Sequence, residues 1–533
     1  MSWMNEYPRP QMRRDSFFCL NGEWTLDEQR VQVPYPPQSR LSGYEGEVRD
    51  MLTYVKLFSL PEGFLPKGHR LMLHFGAVDQ IADVFFNGRP VAHHEGGYLP
   101  FSADVTSFVK PGENELVVSV LDALDHDYPY GKQRKKRGGM WYTPVSGIWQ
   151  TVWMEAVPEK HVERIRVTPD LTGVTLLVEA NSDTVEVDIH GIGRRSIPAN
   201  EAVRLEIPQP HLWTVEDPYL YSMTITAGED RVESYFALRT VSIEGKRILL
   251  NGKPVFLNCV LDQGYFEDGI YLPEEPEEYE RDVLRMKALG FNTLRKHIKV
   301  EPEAFYYACD RLGILVLQDM VNSGPYSFLL DTAFPTIGWL KRPLLPAGEK
   351  RRQVFEQHCL DIQKHLHNHP CVIGYTIFNE GWGQHDTERL YRLLKENDPT
   401  RFYDAASGWF TPKETDVDSV HVYFRNKALK PGQRPMLLSE CGGYTRAIPG
   451  HLFQPDAKYG YGKTDSEQAL TDKIIQMYDE MVIPAIPQGL CGVVYTQLSD
   501  VEDEINGLYT YDRQVCKVDA ERMAEYMKKV KIG

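Results

Sequence analysis

Two short apolar runs, each ending in a glutamate followed by a glycine break, constrain this chain most. Residues 371–384 read CVIGYTIFNEGWGQ and residues 434–443 read RPMLLSECGG. A continuous β-branched and apolar run from Val372 to Phe378 predicts a fully buried strand, because a half-exposed one would alternate polar and apolar residues. A carboxylate at the C-terminal end of such a strand sits where a (β/α)8 barrel places its chemistry. The second run repeats the pattern, with Met436 to Leu438 leading into Ser439-Glu440. Paired carboxylates facing one pocket are the minimum apparatus for cleaving a glycosidic bond. Glu380 and Glu440 are therefore the candidate catalytic pair.

The segments around them agree. From residue 243 onward, candidate strands fall at 254–261, 291–297, 313–320, 372–379, 401–407, 418–424, 435–440 and 492–498. Helix-like stretches lie between them, such as 274–290 and 302–313, the second stopping at Gly313. Eight strands alternating with helices predict a (β/α)8 TIM barrel over residues 243–533, with Glu380 closing strand 4 and Glu440 closing strand 7. Upstream, residues 1–157 carry short alternating runs separated by turn signals such as Asn87-Gly88, which predicts a β jelly-roll sandwich. Residues 158–242 predict a second, immunoglobulin-like β-sandwich of seven strands. The whole is a multidomain chain.

Composition excludes some partners. A net charge of −16 argues against nucleic acid. The basic run Lys132–Arg137 reads as a solvated loop, as does Glu502-Asp503-Glu504. No run of 18 apolar residues predicts a membrane span. The start has no apolar signal segment, and eight scattered cysteines form no CxxC, so a reduced, cytoplasmic protein is expected. Nothing calls for an organic cofactor, and no metal site is assigned, with a structural Mg2+ or Na+ left open. A homo-oligomer is equally left open.

Particular stretches point further. LNGEW (20–24), FGAVDQIADVFFNG (75–88), HEGGYLPF (94–101), WYTPVSGIWQTVWME (141–155), LWTVEDPYLY (212–221), LGFNTLRKHIKVEP (289–302), YYACDRLGILVLQDM (306–320) and YTQLSDVEDEINGLYTYDR (495–513) resemble successive segments of glycoside hydrolase family 2. That family includes β-galactosidases, β-glucuronidases and β-mannosidases. The resemblance covers the chain in domain order and implies a retaining, two-step hydrolysis. Glu440 would be the nucleophile, Glu380 the acid/base, and Asn379 the partner of the sugar 2-hydroxyl. Asp262, Arg295, His297, Asp319, His421 and Tyr423 are the strand-end polar groups expected to hold the sugar, with Arg295 and Tyr423 placed to orient the nucleophile. Trp382 or Trp409 would stack on the sugar ring, core packing being the competing reading for Trp409. Thr496-Gln497 stands where many members carry a strand-8 tryptophan, and Gln497 joins the candidate substrate-binding residues. No Asn-x-Lys carboxylate-binding motif is found, so Lys299 or Arg425 would have to serve a uronide. The expectation is an exo-acting β-glycosidase, most like a β-galactosidase, with a carbohydrate substrate. β-Glucuronidase, β-mannosidase and α-L-arabinosidase specificities are alternatives. A non-catalytic carbohydrate-binding protein is the reading from another class.

Overall fold

The computed structural model describes residues 2–532. Alternation of polar and apolar residues builds its first module. The strand Glu113–Leu121 buries Asn114, Leu116, Val118 and Val120 and turns the residues between them outward, as a pleated strand with one wet face must. It lies within a six-stranded antiparallel sheet, which faces a four-stranded one. The hairpin joining Ile81–Phe86 to Arg89–Glu95 turns at Asn87-Gly88, both with positive φ, the conformation a two-residue turn between twisted strands requires. Trp24, Tyr54, Phe75 and Phe86 fill the space between the sheets. Between Val162 and Phe236 a three-stranded and a four-stranded sheet form the seven-strand immunoglobulin-like sandwich, with its own core around Ile165, Leu176 and Ile225.

The barrel strands are β1 (Leu257–Asp262), β2 (Thr293–Lys296), β3 (Leu315–Asp319), β4 (Val372–Thr376), β5 (Phe402–Asp404), β6 (Asp418–Val422), β7 (Met436–Gly442) and β8 (Leu490–Thr496). All eight expected strands form and pair in parallel, in the order β5-β4-β3-β2-β1-β8-β7-β6. The ring is left open at one seam: among the described residues β5 and β6 share no ladder, and a single backbone bond, Asp416 N to Tyr403 O (3.1 Å), ties their lower ends. Side chains bridge this seam. Ser419 Oγ donates to Asp404 Oδ1 (3.0 Å) and to the Ala406 carbonyl (3.2 Å), and Ser407 Oγ meets His421 Nε2 at 3.0 Å. Helices α1 (Glu277–Ala288), α2 (Glu303–Leu312) and α3 (Glu349–Leu366) lie within or after the expected helical stretches, and α2 ends on Gly313 with φ 71°.

Both glutamate segments are irregular. The β4 ladder stops at Thr376, but the chain stays extended beside residues 404–407, with Ile377 N donating to Asp404 O and Glu380 N to Ser407 O, each at 2.9 Å. In β7 the register against β8 jumps between Leu438 and Cys441, a bulge that re-aims Ser439 and Glu440.

The first module does not merely adjoin the barrel. Trp3, Tyr98, Trp141, Tyr142 and Trp149 belong to the same buried cluster as the barrel strands. The segment 130–143 lies across the barrel mouth. Tyr130 N donates to Asn322 O (3.0 Å) and its hydroxyl to Gly324 O (2.8 Å) after β3, while the Tyr142 hydroxyl donates to Glu504 and Thr143 N to Glu502 Oε1 (3.0 Å) after β8. Two sequence expectations are corrected here. The basic run 132–137 is part of this rim, with Arg134, Lys135 and Lys136 exposed as expected of a solvated loop but Gln133 buried and Lys132 and Arg137 half-buried. Glu502 and Glu504 are buried anchors for it, not residues of a solvated loop. Among the described residues no helix is long and apolar enough to cross a membrane, and all eight cysteines are free.

Candidate active site

Glu380 follows the end of β4 with φ 55°, a left-handed conformation that a glutamate adopts only where its surroundings hold it. Glu440 projects from the β7 bulge and is 5% exposed. Between them stands His421 on β6. Its Nδ1 lies 2.8 Å from Glu380 Oε1 and 3.5 Å from Glu440 Oε2, while its Nε2 faces Ser407 Oγ. One carboxylate oxygen of each glutamate and a ring nitrogen of His421 all fall within 4.8 Å of one another.

Arg295, on β2, organises the floor. Its Nε donates to Asp319 (3.0 and 3.1 Å), its Nη1 to Ser439 O (2.8 Å) and Glu440 Oε1 (3.3 Å), and its Nη2 to Asn379 Oδ1 (3.0 Å). The planar guanidinium thus fixes three elements at once. It also orients the Asn379 amide, whose NH2 makes no hydrogen bond within the described residues and is left to donate outward. Tyr423 donates to Glu440 Oε2 and meets Thr496 Oγ1 at 3.2 Å. Tyr461 stacks on the Tyr423 ring at 3.9 Å.

These contacts polarise the pair. Burial pushes the Glu440 carboxyl up, but the groups facing it, His421 and the Arg295 guanidinium foremost, with the Lys132 ammonium beyond them, outweigh burial and bring it down to about 2. Glu440 is therefore ionised at neutral pH. Burial and the Glu440 charge hold the Tyr423 phenol protonated. His297 donates its Nδ1 proton to Asp319 Oδ2 at 2.6 Å, since an ionised carboxylate can only accept. Its Nε2 then carries a bare lone pair, is buried and has no partner. Burial and the charge of Lys132 push this imidazole down to about 4, so it is neutral at pH 7.

The structure brings Asn379, Glu380, Arg295, His297, Asp319, His421, Tyr423 and Glu440 together. It places other expected site residues differently. Asp262 pairs with Lys296 Nζ (2.6 Å) and accepts from Gly264 N. Lys296 in turn packs over the Phe305 ring of α2, so Asp262 is spent between the barrel wall and the helix layer. Trp382 is 3% exposed and locked against Tyr130, Trp141 and Tyr326, whereas half-buried Trp409 lies 5.5 Å from the His421 ring. The expected ranking of the two is reversed: Trp409 lies beside the imidazole that bridges the glutamates and Trp382 is core. Gln497 donates to Asn506 Oδ1 (2.9 Å) at the mouth of β8, and its Oε1 has no partner. Lys299 is consumed by Glu301, Gly264 O and Tyr271 O, and Arg425 lies on an exposed segment. Sequence reasoning missed Ser407 and Tyr461, and it placed Lys132 in a basic loop and in the family-like stretch GKQ (131–133) without assigning it to the site. A cavity of about 730 Å3 lies elsewhere, between both sandwiches and α3, lined by residues such as His94, Arg164 and His358 and by neither glutamate.

Comparison with known proteins follows the same division of the chain. The model described as "Glycosyl hydrolases family 2, sugar binding domain" matches residues 30–158, that described as "Glycosyl hydrolases family 2" matches 164–239, and that described as "Glycosyl hydrolases family 2, TIM barrel domain" matches 241–531. A β-galactosidase of Aeromonas hydrophila is 29% identical over 400 residues, covering 68% of this chain and 36% of that protein. One from Pectobacterium atrosepticum is 27% identical over 430 residues, covering 73% and 38%. The chain spans less than half the length of these curated relatives. Among solved structures, a β-D-glucuronidase of Dictyoglomus thermophilum superimposes with a TM-score of 0.78 at 20% identity over 99% of each chain. A Ruminococcus gnavus β-glucuronidase does so with 0.78 at 19% over 99% of each. These last likenesses concern the fold.

Proposed function

The chain belongs to glycoside hydrolase family 2, and we propose accordingly that it is a retaining, exo-acting β-glycosidase with Glu440 as nucleophile and Glu380 as acid/base. The observation that carries the reading is that one oxygen of each carboxylate lies within 4.8 Å of the other. Retaining enzymes hold their carboxyl groups about 5–5.5 Å apart, whereas inverting ones leave about 6.5–9.5 Å for a water.

Glu440 attacks the anomeric carbon as that carbon's bond to the aglycone oxygen breaks, and Glu380 gives the departing oxygen its proton. Glu380, now a carboxylate, then takes a proton from water, whose oxygen displaces Glu440 and frees the sugar. The low position of Glu440 suits a nucleophile that must stay ionised. Asn379, its amide set by Arg295, donates to the 2-hydroxyl. The segment 130–143, laid across the mouth over β3 and β8, favours cleavage at a chain end. The sugar is a galactoside or a uronide by the names of the relatives, β-galactosidases by sequence and β-glucuronidases by fold.

The test is release of aryl alcohol from β-linked galactoside, glucoside, glucuronide, galacturonide and mannoside and from an α-L-arabinoside, with Glu380→Gln and Glu440→Gln beside the wild type. One sugar class cleaved and lost in both variants is expected. Full activity in Glu440→Gln would sink the assignment, and saturable sugar binding without turnover would favour a binding protein.

A further inference from the structure

The rim segment carries charge that the molecule leaves unanswered. Lys132, half-buried, makes neither an ion pair nor a side-chain hydrogen bond among the described residues, and the same holds for the ion pairing of Arg134 and Lys136. Their neighbours Lys135 and Arg137 are paired, with Asp50 and with Glu502 and Asp503. On a chain of net charge −16, an unpaired cationic lip at the mouth of a cleft favours an anionic visitor.

Geometry places Lys132 beside the sugar site. Gly131 backs so closely onto the barrel that a side chain there would fall 3.0 Å from the carbonyl oxygen of Ile298, the residue after His297. Gln133 turns inward and is bound by Asp79, Tyr98 and Val145. The Lys132 carbonyl is held by Tyr142 N at 3.0 Å. The cation between these anchors acts on His297, Glu440 and Glu504. The other cations on this side are engaged: Arg295 on Glu440 and Asp319, Lys296 on Asp262 and Glu301, Lys299 on Glu301.

Two unmet needs thus meet at one place. The bare Nε2 of His297 requires a hydroxyl that donates, and the ammonium of Lys132 requires an anion. A sugar acid offers a hydroxyl and a carboxylate on a single ring. Resting on the glycosidase reading above, we infer that the site takes a β-linked uronic acid, with Lys132 of the first sandwich binding its carboxylate and His297 Nε2 accepting from a ring hydroxyl. The specificity residue therefore comes from the first sandwich, not from the barrel that carries the glutamates.

The experiment compares p-nitrophenyl β-D-glucuronide and β-D-galacturonide with the matching glucoside and galactoside, using wild type, Lys132→Gln, Lys132→Arg and Glu440→Gln, each with a melting curve. The expected result is a uronide preferred over its neutral counterpart, and kcat/KM for it reduced roughly 10- to 100-fold in Lys132→Gln, as for a lost charge-assisted hydrogen bond. Neutral substrates, which share any effect of Lys132 on Glu440, should lose clearly less than the uronides do, and Lys132→Arg should recover part of the loss. A neutral glycoside preferred and cleaved through Glu440 would overturn this inference and leave the glycosidase reading standing. So would an equal loss on both sugar classes in Lys132→Gln, which would make Lys132 a tuner of Glu440. No hydrolysis of any glycoside by a folded protein would overturn both.

Discussion

His421 Nδ1 lies 2.8 Å from Glu380 Oε1 while its other nitrogen rests on Ser407 Oγ, so one imidazole fixes where the Glu380 carboxyl group points. The same Nδ1 is 3.5 Å from Glu440, so it bridges the two carboxyl groups. His421→Asn should lower kcat/KM about 100-fold, the effect of a misplaced reacting group, while the melting temperature stays within a few degrees. Steady-state kinetics beside a thermal scan checks this. An unchanged pH–rate profile would speak against a role at Glu380.

Arg295 is the buried cation on which Asp319, Asn379 and Glu440 converge. Arg295→Met strands at least two carboxylates, and removing one partner of a buried ion pair typically costs about 3–5 kcal/mol. Denaturant unfolding should show a loss of that order. In whatever folds, Glu440 loses an opposing charge and titrates higher, so the acid limb of kcat/KM should move up in pH.

Glu440 is held below its ordinary value, at about 2. Its charged form therefore adds stability that is present above the unfolded value and lost as pH falls through the range from about 4.5 to about 2. The stability gap between wild type and Glu440→Gln should be widest near neutrality and narrow across that acid window. Urea midpoints at several pH values measure it, and a gap that does not vary with pH would contradict the assignment.

The two tryptophans should separate cleanly. Trp382→Ala opens a hole in the cluster shared by both modules and should cost about 3–5 kcal/mol of stability. Trp409→Ala, at a half-buried ring beside His421, should leave melting nearly intact and act on kcat/KM instead. Parallel melting and kinetic measurements on the two variants decide it.

Glu380, His421 and Glu440 offer one nitrogen and two oxygens within 4.8 Å, a donor set that suits Zn2+. Micromolar zinc should inhibit reversibly, with chelator restoring activity. The inhibition should weaken in His421→Asn, measured on its residual activity.

Much of this was legible in the chain because it is local. A buried strand announces itself by an unbroken apolar run, and eight of them in alternation with helices fix the barrel. Both glutamates follow from the breaks that end their runs. What escaped depends on contacts between distant segments. Lys132 looks like one residue of a solvated basic loop until Gly131 and Tyr142 press that loop onto β2 and β8. Glu502 and Glu504 look like surface acids until the rim arrives to bury them. Nothing local separates Trp382 from Trp409, whereas Trp141 and Tyr326, far along the chain, decide which ring is enclosed. Asp262 sits at the right strand end but is drawn away by Lys296, whose outward direction follows from strand alternation.

The open seam between β5 and β6 separates the two glutamates. Glu380 is tied by its backbone to Ser407 on one bank, and β6 and β7 carry His421 and Glu440 on the other. A backbone ladder holds neighbouring strands at about 4.8 Å, but at the level of the glutamates this gap is spanned by Ser407, Ser419 and the His421 imidazole. The separation of Glu380 and Glu440 thus leans on replaceable side chains at 404, 407, 419 and 421, beside the Arg295 guanidinium that joins Asn379 to Glu440. Substitutions at 404, 407 or 419 should widen or narrow that separation, and let it breathe, while both glutamates and every rung of the barrel remain in place.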